Sequence, residues 1–341
     1  IMKYATRTAL LAATALSMNF AMPAFAQDAQ EEADDAASSS DIIVTAQRTD
    51  QRLQDVPISI TVLTQEALAT NNITNAKDLA AFTPGLAVNN RYGADNTTFT
   101  MRGFYQEQRS FATVGVFFAD VVAPRGPSQG FPAGDGAGPG MFFDLQNVQV
   151  LKGPQGTLFG RNTTGGAVIL VPQKPTDKFE GYLEGSVGNY DMRRIQAVAN
   201  APLGDTARLR LGVDHQKRDG FMKNVTNVGP RDFDDINYLA LRASLVVALS
   251  DSIENYTIAS FVNSKNNGHI NKLVAASVEL DPFGGLLAGQ GFGFMAAQNA
   301  AGFHSVTNDM PDPVQQMRNW QVINKTSWQV NDNLTVRNII S

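Results

Sequence analysis

Val148-Gln149-Val150-Leu151-Lys152-Gly153-Pro154-Gln155-Gly156-Thr157-Leu158-Phe159-Gly160, continuing through Gly165-Gly166-Ala167-Val168-Ile169, joins two apolar runs by a glycine-rich bend. Val148, Val150 and Leu151 read as a buried strand that stops at Lys152-Gly153-Pro154, where a flexible Gly and a fixed-φ Pro make a turn. Gly160, Gly165 and Gly166 supply the bends before a second strand over 167–171. Lys152 with Gly153, Gly156 and Gly160 superficially suggests a nucleotide cradle. No Gly-Lys-Ser/Thr follows, and the segment leads into a strand where a phosphate loop would open a helix, so nucleotide binding is set aside. Upstream, Gly134-Asp135-Gly136-Ala137-Gly138-Pro139-Gly140 fits no dinucleotide pattern and reads as a mobile loop.

Working outward, Ile58, Ile60 and Val62 alternate with Ser59, Thr61 and Leu63, the pattern of a strand with one better buried face. Residues 65–68 and 76–81 read as short helices, the second capped by Thr74 or Asn75 and ended before Pro84. The blocks fall in a fixed order: Val56-Pro57-Ile58-Ser59-Ile60-Thr61-Val62, Asn75-Ala76-Lys77-Asp78-Leu79, Thr83-Pro84-Gly85-Leu86, Phe99-Thr100-Met101-Arg102-Gly103-Phe104 and Val114-Gly115-Val116-Phe117-Phe118-Ala119-Asp120. Together with the opening stretch they resemble, motif by motif, the plug domain of TonB-dependent outer-membrane receptors. The resemblance covers nearly all of residues 27–341, by motif in the plug and by pattern alone in the strands beyond it. Relatives commonly carry an Arg and a Glu where Asn147 and Gln149 stand, so neutral hydrogen bonds are expected to replace a charged contact between plug and barrel wall.

The run Asp41-Ile42-Ile43-Val44-Thr45-Ala46-Gln47-Arg48 is β-prone and stands alone between polar segments, with backbone donors free to join another protein's sheet edge. Four branched residues in a row also suit an ordinary buried strand. The resemblance identifies the segment with a TonB box, which assigns Asp41, Ile42, Ile43, Val44, Thr45 and Ala46 to pairing with TonB. Before it, Lys3 and Arg7 precede a short apolar stretch and Ala24-Phe25-Ala26, the order of regions in a cleavable export signal. Residues 27–40 hold five acids among Ala and Ser, too little apolar surface to fold, and read as a disordered acidic linker. The expected organisation is a signal peptide over 1–26, linker over 27–40, TonB box over 41–48, plug over 49–177 and the first barrel strands over 178–341.

Beyond about residue 178 the sequence alternates. Ala207, Leu209, Leu211 and Val213 interleave with Arg208, Arg210, Gly212 and Asp214, and Leu239, Leu241, Ala243, Leu245 and Val247 with Ala240, Arg242, Ser244 and Val246. A soluble sandwich can show this period, but export and a preceding plug favour a membrane barrel, apolar outward and polar inward. Strands are expected near 179–190, 193–201, 206–217, 237–248, 253–265, 317–329 and 333–341, with short turns and long loops (218–236, 267–316) alternating. Tyr182, Tyr190, Tyr238, Trp320 and Trp328 are candidates for interface girdles. The fold class is thus an α+β plug followed by an antiparallel transmembrane β-barrel. The resemblance implies 22 strands, the size that leaves a plugged lumen, so the sequence is expected to be the amino-terminal part of a protein at least twice as long.

Composition narrows the chemistry. The 341 residues carry a net charge of -5, with no Cys and three scattered His at 215, 269 and 304. Disulfides, thiolate metal sites and Cys nucleophiles are excluded, and no basic stripe suited to nucleic acid is present. No nucleophile–base spacing suggests an enzyme, and no cofactor or resident metal is expected. The resemblance implies a monomeric outer-membrane receptor of a Gram-negative bacterium, embedded in outer-membrane lipid. It would import a scarce ligand by TonB-driven displacement of the plug, with a ferric siderophore the leading expectation. Carbohydrate, haem or cobalamin import and signal transduction remain alternatives, although a 14-residue linker cannot hold a folded signalling domain. Plug loops expected to face outward carry the candidate ligand residues Arg91, Tyr92, Tyr105, Gln106, Arg109, Phe111 and Arg125, the arginines to pair with an anionic complex and the rings to stack on it.

Overall fold

The apolar runs on either side of the Lys152-Gly153-Pro154 turn form the middle of a five-stranded sheet. The computed structural model describes residues 42–45, 48–49, 51–90, 92–107, 110–125, 134–279 and 285–341. The expected signal peptide and linker, together with Asp41, Ala46, Arg91 and Arg109, lie outside the described residues. The plug strands are β1 (Ile60–Thr64), β2 (Leu86–Asn89), β3 (Thr98–Met101), β4 (Val114–Phe118), β5 (Val121–Val122), β6 (Leu145–Lys152) and β7 (Gly166–Pro172). The main sheet has the order β1-β6-β7-β4-β5, and β2 and β3 form a separate hairpin. β6 pairs antiparallel with β1 and β7, while β7 runs parallel to β4. Both faces of β4 are covered, which suits the unbroken run Val114-Gly115-Val116-Phe117-Phe118. Gly153 sits at φ +109°, a conformation that a side chain would strain, and so lets β6 turn away before Pro154.

Two helices cover one face. α1 (Gln65–Thr70) starts where the Thr64 hydroxyl accepts the Ala67 N–H at 3.3 Å, and α2 (Ala76–Ala81) where the Asn75 side chain accepts the N–H groups of Lys77 and Asp78. Leu68 and Leu79 point from them into a core shared with Phe99, Val116, Val148 and Leu170. Each such side chain contributes roughly 1.5–3 kcal/mol by leaving water.

Seven longer strands follow: β8 (Glu180–Gly188), β9 (Met192–Leu203), β10 (Ala207–Arg218), β11 (Ile236–Ser250), β12 (Ile253–Asn266), β13 (Gln315–Asn331) and β14 (Leu334–Ile340). They make one antiparallel sheet in chain order. Leu183, Ile195, Leu211, Leu241 and Trp320 are exposed on one face, whereas Arg194, Arg210, Asp214, Arg242 and Ser264 are buried on the other. The sheet is a partial barrel wall whose polar face meets the plug and whose apolar face is the lipid side. Short turns at 204–206, 251–252 and 332–333 mark one end, and the long connections 219–235 and 267–314 the other.

Four expectations need correction. The described part of the glycine-rich loop, 134–140, is packed rather than loose: Asp135 donates its N–H to the Thr97 carbonyl, and a Cβ on Gly140 would fall 2.3 Å from that of Ala240 on the wall. Tyr182 and Tyr238 project from even positions to the inner face and Tyr190 lies exposed in the turn between β8 and β9, whereas Trp320 and Trp328 face outward. The connection 267–314 contains a helix, Leu286–Ala301, whose glycines and apolar residues are spread around it, with only Gln290, Gln298 and Asn299 polar, and give no 3.6-residue period to read. Asn147 and Gln149 do not reach the wall, because the Gln149 amide donates to Asn147 Oδ1 at 3.0 Å and its oxygen accepts the Thr45 N–H.

Candidate functional site

The contact between plug and wall is charged, with the carboxylate on the plug. Asp144, at the start of β6, accepts both Nε (2.8 Å) and Nη2 (2.5 Å) of Arg210 from β10. Arg242 of β11 donates to the carbonyls of Phe143 (2.9 Å) and Asp144 (3.2 Å). Its guanidinium also lies 4.6 Å and 4.4 Å from the ring centres of Phe118 and Phe143. Stacking of this kind suits the flat, weakly hydrated guanidinium. A second inner-face pair, Arg194 with Asp214, is held by the Tyr238 hydroxyl, which donates to Asp214. Further along the wall Lys325 pairs with Asp120, and Gln321 donates to the Val122 carbonyl at 3.1 Å.

At the loop end, plug and wall enclose a cavity of about 370 Å³, lined among others by Asn90, Gly93, Asp95, Arg218, Asp234 and His269. Asp95 is buried, accepts the Ser264 hydroxyl at 3.2 Å and the Asn266 amide at 2.9 Å, and is pushed above the usual carboxylate range chiefly by burial. His269 Nδ1 lies 2.5 Å from Asp234 Oδ1, and that hydrogen bond raises its pKa against the opposing effect of burial. Beneath the cavity Asp135 Oδ2 accepts the Phe99 N–H at 2.6 Å, while Oδ1 has no partner. Burial pushes Asp135 up to about 7. These groups can accept and donate hydrogen bonds to a polar ligand. Among the described residues no group of three or more His, Cys, Asp or Glu is placed to hold a metal.

On the sheet face, Val44 is fully buried in a cluster with Val56, Phe117, Leu151, Phe159, Ala167 and Ile169. Thr45 donates its N–H to Gln149 at 3.3 Å, so that donor is occupied rather than free. Arg48 follows as a clamp, donating Nε to the Leu158 carbonyl at 3.0 Å and Nη1 to the Asp120 carbonyl at 3.3 Å, with its charge 4.9 Å from the Phe159 ring centre. Ile42 and Ile43 are exposed.

The remaining candidate residues do not converge. Tyr92 belongs to the loop that borders the cavity, where Gly93 approaches His269. Tyr105, Gln106 and Phe111 lie on a different loop, beside the Gly165 bend, where Gly165 donates its N–H to the Thr113 carbonyl. There the Tyr105 hydroxyl donates to Glu107, the Gln106 amide to the Ser110 carbonyl, and Phe111 is 78% exposed. Arg125 is half-buried and its field favours the charged form of Asp135. The cavity residues Asp95, Asp234, Asn266 and His269 escaped the sequence reading because strand ends far apart in the chain bring them together. The acid run Asp232-Phe233-Asp234-Asp235 before β11 was the one visible signal.

Comparison with known proteins agrees with this architecture. Residues 52–167 match the family model described as TonB-dependent Receptor Plug Domain. The ferripyoverdine receptor of Pseudomonas aeruginosa is 29% identical over 168 residues, 49% of this chain and 19% of that protein. The pesticin receptor of Yersinia pestis is 29% identical over 167 residues, 49% of this chain and 24% of that protein. The aligned part is therefore about a fifth to a quarter of the length of these relatives. In fold, the ferric yersiniabactin uptake receptor FyuA from Yersinia pestis superposes with a TM-score of 0.62 at 20% identity, covering 80% of this chain and 39% of that one. The FpvAI chain in its complex with pyocin S2 gives 0.65 at 18% identity, covering 86% and 34%.

Proposed function

We propose, from the premise that residues 52–167 are a TonB-dependent receptor plug, that this protein is an outer-membrane importer of a ferric siderophore, energised through TonB. The observation that carries the reading is the docking of the segment onto the plug: Val44 is buried in the sheet-face cluster, the Thr45 N–H is held by Gln149, and Arg48 is clamped to the Leu158 and Asp120 carbonyls. Relatives named as ferripyoverdine and pesticin receptors support the ligand class. The ligand meets the loop end, where the plug loop at 92–97 and the wall residues around 234 and 266–269 border one cavity. That cavity sets Asp95, Asp234 and Asp235 against Lys77 and Arg218, and further charge attraction for an anionic complex is assigned to Arg91, Arg109 and Arg125.

Passage requires the plug to leave the wall, hence rupture of Asp144 from Arg210 and of Asp95 from Ser264 and Asn266. TonB supplies that work by adding a strand to residues 41–46, for which Val44 must first leave its cluster. Val44→Pro removes a backbone donor and fixes φ, so it disrupts strand addition. Energised uptake of ferric siderophore should collapse while binding at the cell surface stays unchanged. Full uptake by this variant would refute the proposal.

A further inference from the structure

At the loop end the plug meets the wall through a buried carboxylate that no cation balances. Asp95 is carried by the short turn Ala94–Asn96, and its wall partners are the neutral Ser264 hydroxyl and Asn266 amide. Among the described residues it forms no ion pair. The titratable side chains bordering the same cavity are Lys77 from α2, Arg218 from β10, Asp234 and Asp235 ahead of β11, Tyr238 on β11 and His269 past the end of β12. The charge that acts on Asp95 is that of Asp235, and its sign is the same. On its other side Asp95 borders a small void walled by uncharged residues such as Ser260, Met317 and Asn319.

The hydrogen-bond geometry suits a proton at this point. Ser264 Oγ lies 3.2 Å from Asp95 Oδ1 and 3.5 Å from the Asn237 carbonyl. One hydroxyl hydrogen serves both oxygens only when Asp95 is protonated, since the acid then donates to Ser264 Oγ, which donates to Asn237. Asn266 Nδ2 donates to Asp95 Oδ2 at 2.9 Å in either state. His269 follows the same logic. Its Nδ1 faces Asp234 Oδ1 at 2.5 Å and its Nε2 faces the Asn271 side-chain oxygen at 3.1 Å, and two acceptors are satisfied together only by an imidazolium. The plug reaches this ring too, because a Cβ on Gly93 would fall 3.4 Å from that of His269. Burial pushes Asp95 up against the pull of its hydrogen bonds, and the Asp234 bond pushes His269 up against burial.

We propose that this junction is a proton-operated clasp: Asp95 and His269 each hold a proton while the plug loop lies against the wall, and losing those protons as pH rises loosens the plug. The inference rests on the reading that passage requires the plug to leave the wall. Once the loop lifts, Asp95 returns to water near its free value of about 4, and the uncovered His269–Asp234 pair is screened toward about 6.5. Undocking therefore sheds protons above those values, and closure is favoured in acid. Each proton weakens closure by up to roughly tenfold per pH unit between the free and the docked value of its group. TonB accordingly does more work to open the plug in acid than at neutral pH.

The test uses the full-length protein in outer membranes. Val262→Cys places a thiol on the inner face of β12, below the clasp, where Gly140 of the plug covers it. Its labelling rate is followed from about pH 5 to about pH 8.5 and divided at each pH by that of Asn333→Cys, an exposed turn thiol, with reagent dilute enough that opening equilibrates first. Labelling in the otherwise wild-type protein should rise by about tenfold or more across that range. Asp95→Asn imitates the protonated acid, its amide donating to Ser264 Oγ and its oxygen accepting from Asn266, so it should keep the low-pH rate up to about pH 6.5. Adding His269→Gln to it should make the profile flat. Asp95→Ala removes the contacts and should label fast at every pH. A flat wild-type profile would overturn the inference. So would Asp95→Asn labelling as fast as Asp95→Ala, because the charged carboxylate would then be the closing form. A pH-dependent clasp in a protein that takes up no ferric siderophore would uphold the inference and refute the importer reading alone.

Discussion

Asp144→Ala isolates the main bond between plug and wall. It removes the acceptor of both Arg210 hydrogen bonds and leaves a guanidinium that is 6% exposed, with Glu180 at 3.7 Å as the remaining carboxylate. Breaking a buried pair by deleting one partner costs about 3–5 kcal/mol. Glu180 is 44% exposed and offers partial replacement, which puts this case near about 3 kcal/mol, or roughly a hundredfold in the plug-open population. The Arg242 bonds to the Phe143 and Asp144 carbonyls survive, since they use backbone oxygens. The chain contains no Cys, so Val198→Cys, on the inner face beside Gly212 and Phe143, gives a single thiol that a reagent reaches only when the plug withdraws. Under conditions where opening is in rapid equilibrium, labelling should speed up by about two orders of magnitude. Adding Arg210→Met should recover part of the loss by removing the orphaned charge. Labelling within threefold of the parent would show that the plug is held elsewhere and that the Asp144 pair is marginal.

Other expectations concern the ligand and pH. Ala at Arg91, Arg109 and Arg125 together should weaken ligand binding without altering surface abundance, and wild-type affinity in that variant would remove these arginines from the site. Asp135, pushed up to about 7 by burial, binds a proton in the folded plug that the unfolded chain releases near pH 4. Its contribution therefore destabilises the plug progressively as pH rises from about 4 to about 7, by at most about 4 kcal/mol. Asp135→Asn keeps an acceptor for the Phe99 N–H and should flatten that slope. A plug melting profile with the same pH dependence in both proteins would count against a neutral Asp135.

The plug was legible because its information is local. Turn glycines, Pro154 and the Asn75 cap each act within a few positions, and each appears where the sequence places it, although β1 starts only at Ile60 and is half-buried on both faces rather than better buried on one. The seven wall strands were legible for the same reason, since a two-residue period assigns every side chain to lipid or lumen without knowledge of its neighbours. The long helix 286–301 escaped because it lacks a periodic face. Partner choice was not local. Nothing near Asp144 in the chain announces that Arg210 and Arg242 will meet it, and the family resemblance led to a wall contact at Asn147 and Gln149 instead. The cavity likewise joins Asp95 to Ser264 and Asn266 across about half the chain. Periodicity therefore determined which face each residue occupies, because sterics and burial act at short range. Only the tertiary structure decided which faces touch, because the pairing of buried charges depends on the docking of plug against wall.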